Sequence, residues 1–353
     1  MLISRVVYTI IILGWVCLSS VAQTTTTVVP FLNLMPDARA SAMGDAGVAM
    51  QPDANSISIN ASKLVFIPQR FGFSASYSPW LKSLAPDMNL SYLSAFIKPD
   101  EKSGLAASMR YFSLGSIQYT GQDRQDLGSY KPVQLALDAA YSRKLGDNLS
   151  IGTAFRYIVS TGYASRLEGS ESIPAIKAVA ADVSAYYVQP VLLFGSEATI
   201  SAGLNLSNIA RAIKFKNDAN TYYLPTNIKL GTAASFQLDD VNEFSFAVDL
   251  NQLLNPPQYM NAGLAKTYSN KPAALKKITL GGGFEYLYDK QFAVRAGYLY
   301  ENPQVGDRRY PTLGAGFKFN MLNLDVSYLA ASIQKSPLAG SLRFTLMFTF
   351  DQE

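Results

Sequence analysis

The sequence predicts an all-β protein, a transmembrane antiparallel β-barrel of about fourteen strands with an N-terminal plug. Three observations predict this fold class. The chain begins with an export signal but has no later apolar run long enough for a membrane helix. Many segments alternate apolar and polar residues with the period of a β-strand. The connections between those segments are alternately short and long, which a soluble β-sandwich has no reason to show.

Residues 1–22 have the features of a secretory signal peptide. Arg5 precedes an apolar core and small residues occupy the cleavage positions, so we expect the mature chain to begin at Gln23. Cleavage would remove Cys17, the one cysteine, and the chain has no histidine. Disulfides, thiolate or imidazole metal ligands and a Ser-His-Asp triad are therefore excluded. We expect no enzymatic activity, no cofactor and no metal site.

The charge pattern argues against a nucleic-acid partner. The net charge is +4, and the basic residues occur singly rather than in runs. Charged residues make up only 16% of the chain, which is few for a soluble protein, while Tyr and Phe are plentiful. We therefore expect the chain to be surrounded by outer-membrane lipid, because a β-barrel is the remaining way for it to cross a membrane.

Residues 23–70 differ from the rest of the chain because small residues and glycines dominate and no alternation persists. Pro36 followed by residues 37–43 predicts a short helix, which Gly44 ends. Two structures fit such a segment, a surface arm made of turns or a compact plug inside the barrel. We predict the plug, because small residues permit close packing within a lumen.

Residues 71–353 form the predicted barrel. Its alternation is clear where Phe244, Phe246 and Val248 share one face and Asp249 lies on the other. The strands are predicted at residues 71–79, 88–98, 104–117, 132–144, 148–161, 177–189, 197–207, 225–237, 242–253, 277–288, 290–301, 310–319, 321–331 and 341–351. Their number is even, as closure of an antiparallel bacterial barrel requires.

The connections predict how the barrel sits in the membrane. Short turns are predicted near residues 99–102, 146–147, 194–196, 239–241, 289 and 320. Long connections are predicted at residues 80–87, 118–131, 162–176, 208–224, 254–276, 302–309 and 332–340. Outer-membrane barrels have short periplasmic turns and long extracellular loops. We therefore expect an outer-membrane protein with both termini in the periplasm.

The last predicted strand, Leu342–Phe350, closes the barrel in this interpretation. Large apolar residues fill one of its faces, while Arg343 and Thr345 lie on the other. By itself the segment also fits an edge strand of a soluble sandwich. As a closing strand it pairs with residues 71–79, so that no edge is open in lipid. Arginine at Leu346 should then cost ~2–4 kcal/mol, and we expect arginine at Thr345 to be far milder.

The strand face turned away from lipid carries charges of both signs. They are Arg110, Arg156, Lys229, Arg295, Lys318, Arg343, Asp138, Asp182, Asp249, Glu285 and Asp325. The balance predicts ion pairs and water in the lumen rather than a field of one sign. Tyrosines near strand ends fit aromatic girdles. Gly281-Gly282-Gly283 lies in mid-strand with no helix after it, which favours a strand kink over a phosphate-binding loop.

The most specific motif lies in the predicted plug. It reads Pro36-Asp37-Ala38-Arg39-Ala40, then Met43-Gly44-Asp45-Ala46-Gly47, then Asp53-Ala54-Asn55-Ser56. This block resembles the opening of the PorV (LptO) family, an outer-membrane component of the type IX secretion system of Bacteroidetes. The resemblance singles out Pro36, Asp37, Arg39, Met43, Gly44, Asp45, Gly47, Asp53, Asn55 and Asn60. Asn60-Ala61-Ser62 departs from the family's usual Asn-Pro-Ala, so a paralogue such as PorQ remains an alternative.

The resemblance implies a fold and a role. The family looks like a branch of the FadL-type barrels, which have fourteen strands and an N-terminal hatch in the lumen. Such proteins dock on the large translocon barrel of the Sov/SprA type. They take secreted proteins by their C-terminal signal domains and pass them to the sortase-like attachment complex, PorU. Docking calls for apolar or aromatic groups in extracellular loops, and the candidates are Trp80, Leu81, Leu84, Leu254, Pro256, Pro257, Tyr259 and Met260.

Other interpretations stay open. The docking candidates could instead pack within their own loops or meet lipid headgroups. The barrel could be a FadL-like uptake channel for hydrophobic small molecules, which needs an apolar pocket between plug and loops and a lateral exit. It could also be a structural barrel with no transport role.

Overall fold

The computed structural model describes residues 27–79, 87–120, 126–161, 175–193, 195–214, 221–254, 278–303, 306, 308–330 and 340–351. Its strands are β1 (Phe71–Pro79), β2 (Asn89–Asp100), β3 (Ser103–Ser113), β4 (Ile117–Thr120), β5 (Asp126–Tyr130), β6 (Val133–Lys144), β7 (Leu149–Ser160), β8 (Ile176–Leu193), β9 (Ser196–Ile209), β10 (Ile213–Lys214), β11 (Thr221–Tyr222), β12 (Asn227–Gln237), β13 (Asn242–Leu253), β14 (Ile278–Tyr288), β15 (Phe292–Tyr300), β16 (Arg309–Phe319), β17 (Leu322–Leu329) and β18 (Leu342–Phe350). Within these residues fourteen strands form one closed antiparallel barrel, which confirms the predicted fold class.

Four short strands lie outside the barrel wall. β4 pairs with β5 and β10 pairs with β11, so each pair forms a small hairpin within a long connection. The predicted third strand, 104–117, was therefore too long, because residue 117 already belongs to the first hairpin. β8 is longer than predicted, because its pairing with β9 continues to Leu193 opposite Ser196.

β18 closes the barrel against β1, as predicted. Leu346 lies opposite Ala75, and the same antiparallel register runs from Phe71–Phe350 to Tyr77–Phe344. On the outer face the ring of Phe71 stacks on that of Phe350 with centroids 4.6 Å apart. Closure gives the backbone groups of both terminal strands partners, which the interior of a bilayer demands.

The two faces of the wall follow the alternation of the sequence. Phe155, Val179, Val294 and other large apolar side chains are exposed on the outside of the barrel. The inward positions are small, polar or charged and mostly buried. A barrel with this apolar outer band is suited to face lipid. No helix in the described ranges is long and apolar enough to cross a membrane.

Residues 27–70 lie inside the barrel and form the plug. They contain one α-helix, α1 (Ala38–Ala42), and the 3₁₀ helices Pro30–Asn33, Ser56–Ser58 and Ala61–Phe66. Asp37 caps α1 by accepting a hydrogen bond from the Ala40 amide at 2.8 Å. Gly44 follows the helix with φ +70°, a conformation that favours glycine. The predicted helix is present but only five residues long.

Wall glycines let the plug backbone approach the strands directly. A Cβ atom on Gly283 or Gly297 would collide with the backbone of Met43, and one on Gly281 with the carbonyl oxygen of Gly44. This differs from the predicted role of Gly281 and Gly283 as a strand kink. The turn after α1 rests on β14 at these two glycines and on β15 at Gly297, because none of the three has a side chain in the way.

The first described residue, Thr27, lies at the end of the barrel that carries the long connections. It forms a bridge with Tyr223, which lies in the connection between β9 and β12, and the Val28 amide donates to the Tyr223 carbonyl at 3.1 Å. Phe350 ends at the opposite rim, beside the short turns. Thr27 and Phe350 therefore lie at opposite ends of the barrel. The signal peptide predicted at residues 1–22 lies outside the described residues.

Thr345 does not line an open lumen, contrary to the expectation that arginine would be tolerated there. Its side chain is 1% exposed, and its hydroxyl accepts a hydrogen bond from the Ala38 amide at 2.9 Å. The same hydroxyl is 2.8 Å from that of Ser76. An arginine at this position would have to displace α1, so a mild effect is not expected.

We predict that Leu346→Arg lowers the free energy of unfolding by ~2–4 kcal/mol, because it places a charge on the lipid face near the middle of β18. Leu346→Met, which keeps an apolar side chain of similar volume, should cost less than about 1.5 kcal/mol. Urea titration of the protein refolded in lipid vesicles measures both. Equal effects of the two substitutions would contradict the register.

Candidate functional site

The residues of the plug motif meet the barrel wall at one continuous interface. Arg39, in α1, is its most connected member. Its guanidinium binds both oxygens of Glu285 on β14, at 3.0 Å from Nε and 2.7 Å from Nη2. Nη1 contacts Asp53 of the plug at 3.4 Å. One arginine therefore joins two parts of the plug to the wall.

The wall extends this contact into a chain of alternating charges. Glu285 also accepts from Nε of Arg295 at 2.5 Å, and Nη1 of Arg295 donates to Asp325 at 2.6 Å. The chain Asp53–Arg39–Glu285–Arg295–Asp325 thus crosses from the plug to β17. Burial alone would lower the pKa of Arg39, but Glu285 and Asp53 outweigh it and hold that pKa above its usual range.

α1 and the turn after it are also held by the closing strand β18 and by β16. Nη1 of Arg343 donates to the Ser41 hydroxyl and lies 3.7 Å from the carboxylate of Asp45. The Thr312 hydroxyl donates to the Ala42 carbonyl at 2.8 Å and accepts from the Gly44 amide at 3.1 Å. These contacts satisfy polar groups at the C-terminal end of the helix that would otherwise be buried without partners.

The turn that follows is fixed by two buried charges of opposite sign. Asp249, on β13, accepts from the amides of Gly47 and Val48 at 2.7 and 2.9 Å. Lys63 donates to the Gly47 carbonyl at 2.7 Å. Burial lowers the pKa of Lys63 to about 8, with Asp53 acting in the opposite direction. At Asp37, burial and the charge of Asp53 raise the pKa to about 6.

Asn60 organises the turn that lacks the family's proline. Its side-chain amide donates to the carbonyls of Val48 and Ala185 at 3.0 and 3.2 Å, and its oxygen accepts from the Ser62 amide at 3.1 Å. The Asp53 carboxylate likewise accepts a hydrogen bond two residues on, from the backbone amide of Asn55 at 2.8 Å. Side-chain hydrogen bonds therefore hold this part of the plug, with Ala61 in place of proline.

A second charge cluster lies on the opposite wall. Arg156 is paired with Asp138 at 2.6 Å and with Asp182 at 3.1 Å, and it also donates to the Asn208 side chain. Asn208 has φ +57°, and its backbone amide donates to the Asp182 carboxylate at 2.7 Å. The hypothesis of interior ion pairs of both signs fits these contacts. Lys318, which is predicted to be one of the lumen charges, lies near the end of β16 and is exposed.

An apolar cluster fills the lumen below the long connections, and no periodicity in residues 27–34 indicates it. Val29, Phe31 and Leu32 of the plug pack against the wall residues Phe112 and Ile158. The rings of Phe31 and Phe112 are stacked with centroids 6.1 Å apart. Because the plug residues show no alternation, only the three-dimensional path of the chain reveals that they occupy this space.

Most of the predicted docking residues fall outside the described part of the chain. Trp80, Leu81, Leu84, Pro256, Pro257, Tyr259 and Met260 belong to residues that the structure does not describe. Leu254 is described: it follows β13 directly, and its amide donates to the Thr226 carbonyl at 2.8 Å. In the described ranges, no group of acidic side chains is arranged to hold a metal ion.

A closed fourteen-stranded barrel with an apolar outer face and a locked plug defines the class of plugged outer-membrane barrels. The family comparison gives the identity within this class. The model of the family "Type IX secretion system protein PorV" matches residues 19–260. The chain belongs to the PorV family, and it is an outer-membrane component of type IX secretion. The resemblance that the plug motif indicated is thereby confirmed.

Solved structures with the same fold come from hydrocarbon transporters. The toluene transporter TbuX of Ralstonia pickettii superposes with a TM-score of 0.51 at 11% identity, over 90% of this chain and 98% of TbuX. The toluene transporter TodX of P. putida gives 0.53 at 12% identity, over 90% and 99%. At such identities the likeness concerns the fold alone. No curated protein matches the chain.

We predict that Arg39→Gln destabilises the seated plug by about 3 kcal/mol, the lower end for breaking a buried ion pair, because Glu285 keeps its bond to Arg295. Hydrogen exchange of the amides in α1 measures the effect. Arg308→Gln is the matched control, because its pair with Glu301 is partly exposed and should contribute about 0–1 kcal/mol. Unchanged exchange in Arg39→Gln would refute the role of Arg39 as the main anchor.

We predict that Gly283→Val prevents the plug from seating, because the new side chain would occupy the place of the Met43 backbone. The barrel should still close, since strand pairing does not involve that side chain, and conductance in planar bilayers should rise. The control is Gly146→Val in the turn between β6 and β7, where a Cβ meets nothing within 4 Å. If the conductance of Gly283→Val were as low as that of Gly146→Val, glycine at position 283 would not be needed for the plug to seat.

Proposed function

We propose that this protein is a carrier and adaptor of type IX secretion rather than a conduit. One observation carries the proposal most directly: the lumen is occupied by a plug that is bound to the wall through Arg39 and Glu285. Below the long connections the remaining space is filled by Phe31 and its neighbours. A barrel filled in this way is suited to present surfaces to partners.

The orientation follows from the connections. The short turns and Phe350 face the periplasm, and the long connections face outward, as in other bacterial outer-membrane barrels. On this orientation Thr27 lies at the outward end of the lumen, at the opposite rim from Phe350. The surfaces available to extracellular or translocon partners are therefore the long connections and the upper wall.

The partners we propose are those that the family implies. The barrel docks on a large translocon barrel of the Sov/SprA type and takes secreted proteins by their C-terminal signal domains. It then delivers them to the sortase-like attachment complex, PorU. Apolar loop residues support docking in physical terms, because aromatic and large apolar side chains dominate binding energy at interfaces. The candidates are Trp80, Leu81 and Leu84 in one connection and Leu254, Pro256, Pro257, Tyr259 and Met260 in another.

A second candidate function is the uptake of hydrophobic small molecules. It is favoured by the apolar cluster around Phe31 and Phe112, which lies where a ligand pocket would be needed. TbuX and TodX are named as toluene transporters and share the fold. Uptake would require Val29, Phe31 and Leu32 to leave this cluster. Growth on toluene that depends on this chain would favour uptake over the adaptor role.

We predict that replacing Trp80, Leu81 and Leu84 together by serine abolishes co-purification of the translocon barrel. Secreted proteins should then accumulate with their C-terminal signal domains uncleaved. The matched control is Leu145→Ser together with Leu238→Ser, which removes exposed apolar side chains from the short-turn rim. Immunoblots of cell fractions and affinity purification from native outer membrane measure the two effects. Normal secretion in a clean deletion of the whole chain would refute the adaptor role.

A further inference from the structure

Gly282 is a wall glycine that the protein's own packing does not explain. Gly281 and Gly283 face inward, where a Cβ would collide with the plug. Gly282 faces outward, its φ is outside the left-handed region, and a Cβ there would meet only ordinary contacts, the nearest at 3.4 Å. Glycine in a strand interior weakens the strand and often marks a place where another molecule approaches closely.

The missing side chain opens a notch in the lipid-facing wall. Within β14 the notch is bounded by Leu280 and Phe284, and across the strands by Val248 and Tyr298, which lie opposite Gly282. Phe246 and Tyr300 complete its sides. The notch is the floor of a shallow depression between these side chains, which has a volume of about 530 Å³ and an almost wholly apolar lining. Its lining spans five residues of β14, roughly 17 Å of strand.

The position of the notch distinguishes between possible occupants. Gly282 lies near the middle of β14, and the lining extends from it toward the long connections as far as Leu280 and Tyr300. On the orientation proposed above, this end of the notch lies in the outer leaflet. Arg309 lies opposite Tyr300, on the same outward face, and is exposed at the rim. The lining of the groove ends at Tyr300, and Arg309 is the neighbour of Tyr300 on the next strand. An apolar groove with a cation beside its outer end complements a lipid with an anionic headgroup.

We propose that this notch is a binding site for an anionic outer-leaflet lipid, with one acyl chain lying over Gly282 and the headgroup at Arg309. A straight chain fits a groove that is one missing side chain wide and several residues long. The aromatic rings of Phe284 and Tyr298 would flank the chain, which gains apolar contact that a filled wall does not offer. The site rests on the membrane orientation proposed above but does not require the secretory role.

The test is native mass spectrometry of the full chain in detergent, with added dimyristoylphosphatidylglycerol or its zwitterionic phosphatidylcholine counterpart. The wild type should retain the anionic lipid preferentially. Gly282→Leu, which fills the notch, should weaken retention about tenfold, or ~1.4 kcal/mol. Arg309→Gln should remove the preference for the anionic headgroup while retention of the acyl chains persists. Heat-modifiable migration in gels verifies that each variant is folded.

The matched control is Ala315→Leu, which adds the same side chain to the exposed outer face of β16, away from the notch. It should retain lipid like the wild type. Wild-type retention in Gly282→Leu would overturn the proposal, and so would an equal loss in Ala315→Leu. If Gly282→Leu kept its lipid but lost a co-purifying membrane protein, the notch would belong to a protein segment, and the lipid assignment would be wrong.

Discussion

The structure depends on one constraint: within the hydrocarbon of a membrane, every backbone amide and carbonyl needs a partner. A sheet meets it only by closing, and β18 closes this sheet by pairing with β1 along its length. Closure forces the side chains to alternate between lipid and lumen. The lumen of a fourteen-stranded barrel is too wide for wall side chains alone to fill, so it must hold either water or a further segment. In this protein residues 27–70 occupy that space, and closure supplies the inward wall positions to which they bind.

Filling the lumen with protein removes water from the inward charges. An unpaired buried charge is costly. Removing one partner of a buried ion pair therefore destabilises a protein by about 3–5 kcal/mol, even where the intact pair contributes little to stability. The chain of charges from Asp53 to Asp325 meets this requirement across the plug boundary. Arg156 meets it within the wall through Asp138 and Asp182. Such pairs specify one seating of the plug, because any shift would leave a guanidinium or a carboxylate unpaired.

Much of the barrel could be predicted from the sequence, and little of the interior could. Alternation with period two indicates which residues face lipid, so the closing strand, its partner strand and its lipid face were predictable. Partners across the lumen depend on the path of residues 27–70, which have no period. Thr345 illustrates the limit, because its inward direction was predictable but its burial under α1 was not. The glycines at 281 and 283 were misjudged because their partner is the backbone of a distant segment.

One sector of the wall combines the features on which function depends. β14 carries Glu285 on its inner face, where it anchors the plug, and Gly282 on its outer face, where the notch opens. The connection between β13 and β14 contains the docking candidates Leu254, Pro256, Pro257, Tyr259 and Met260. Glu285 and Gly282 lie three residues apart on one strand, so the ion pairs that bind the plug and the notch share the same stretch of backbone. A lipid or partner protein that binds the outer surface of this sector would meet strands that the plug already holds in place. Binding there would therefore cost little conformational entropy in the wall.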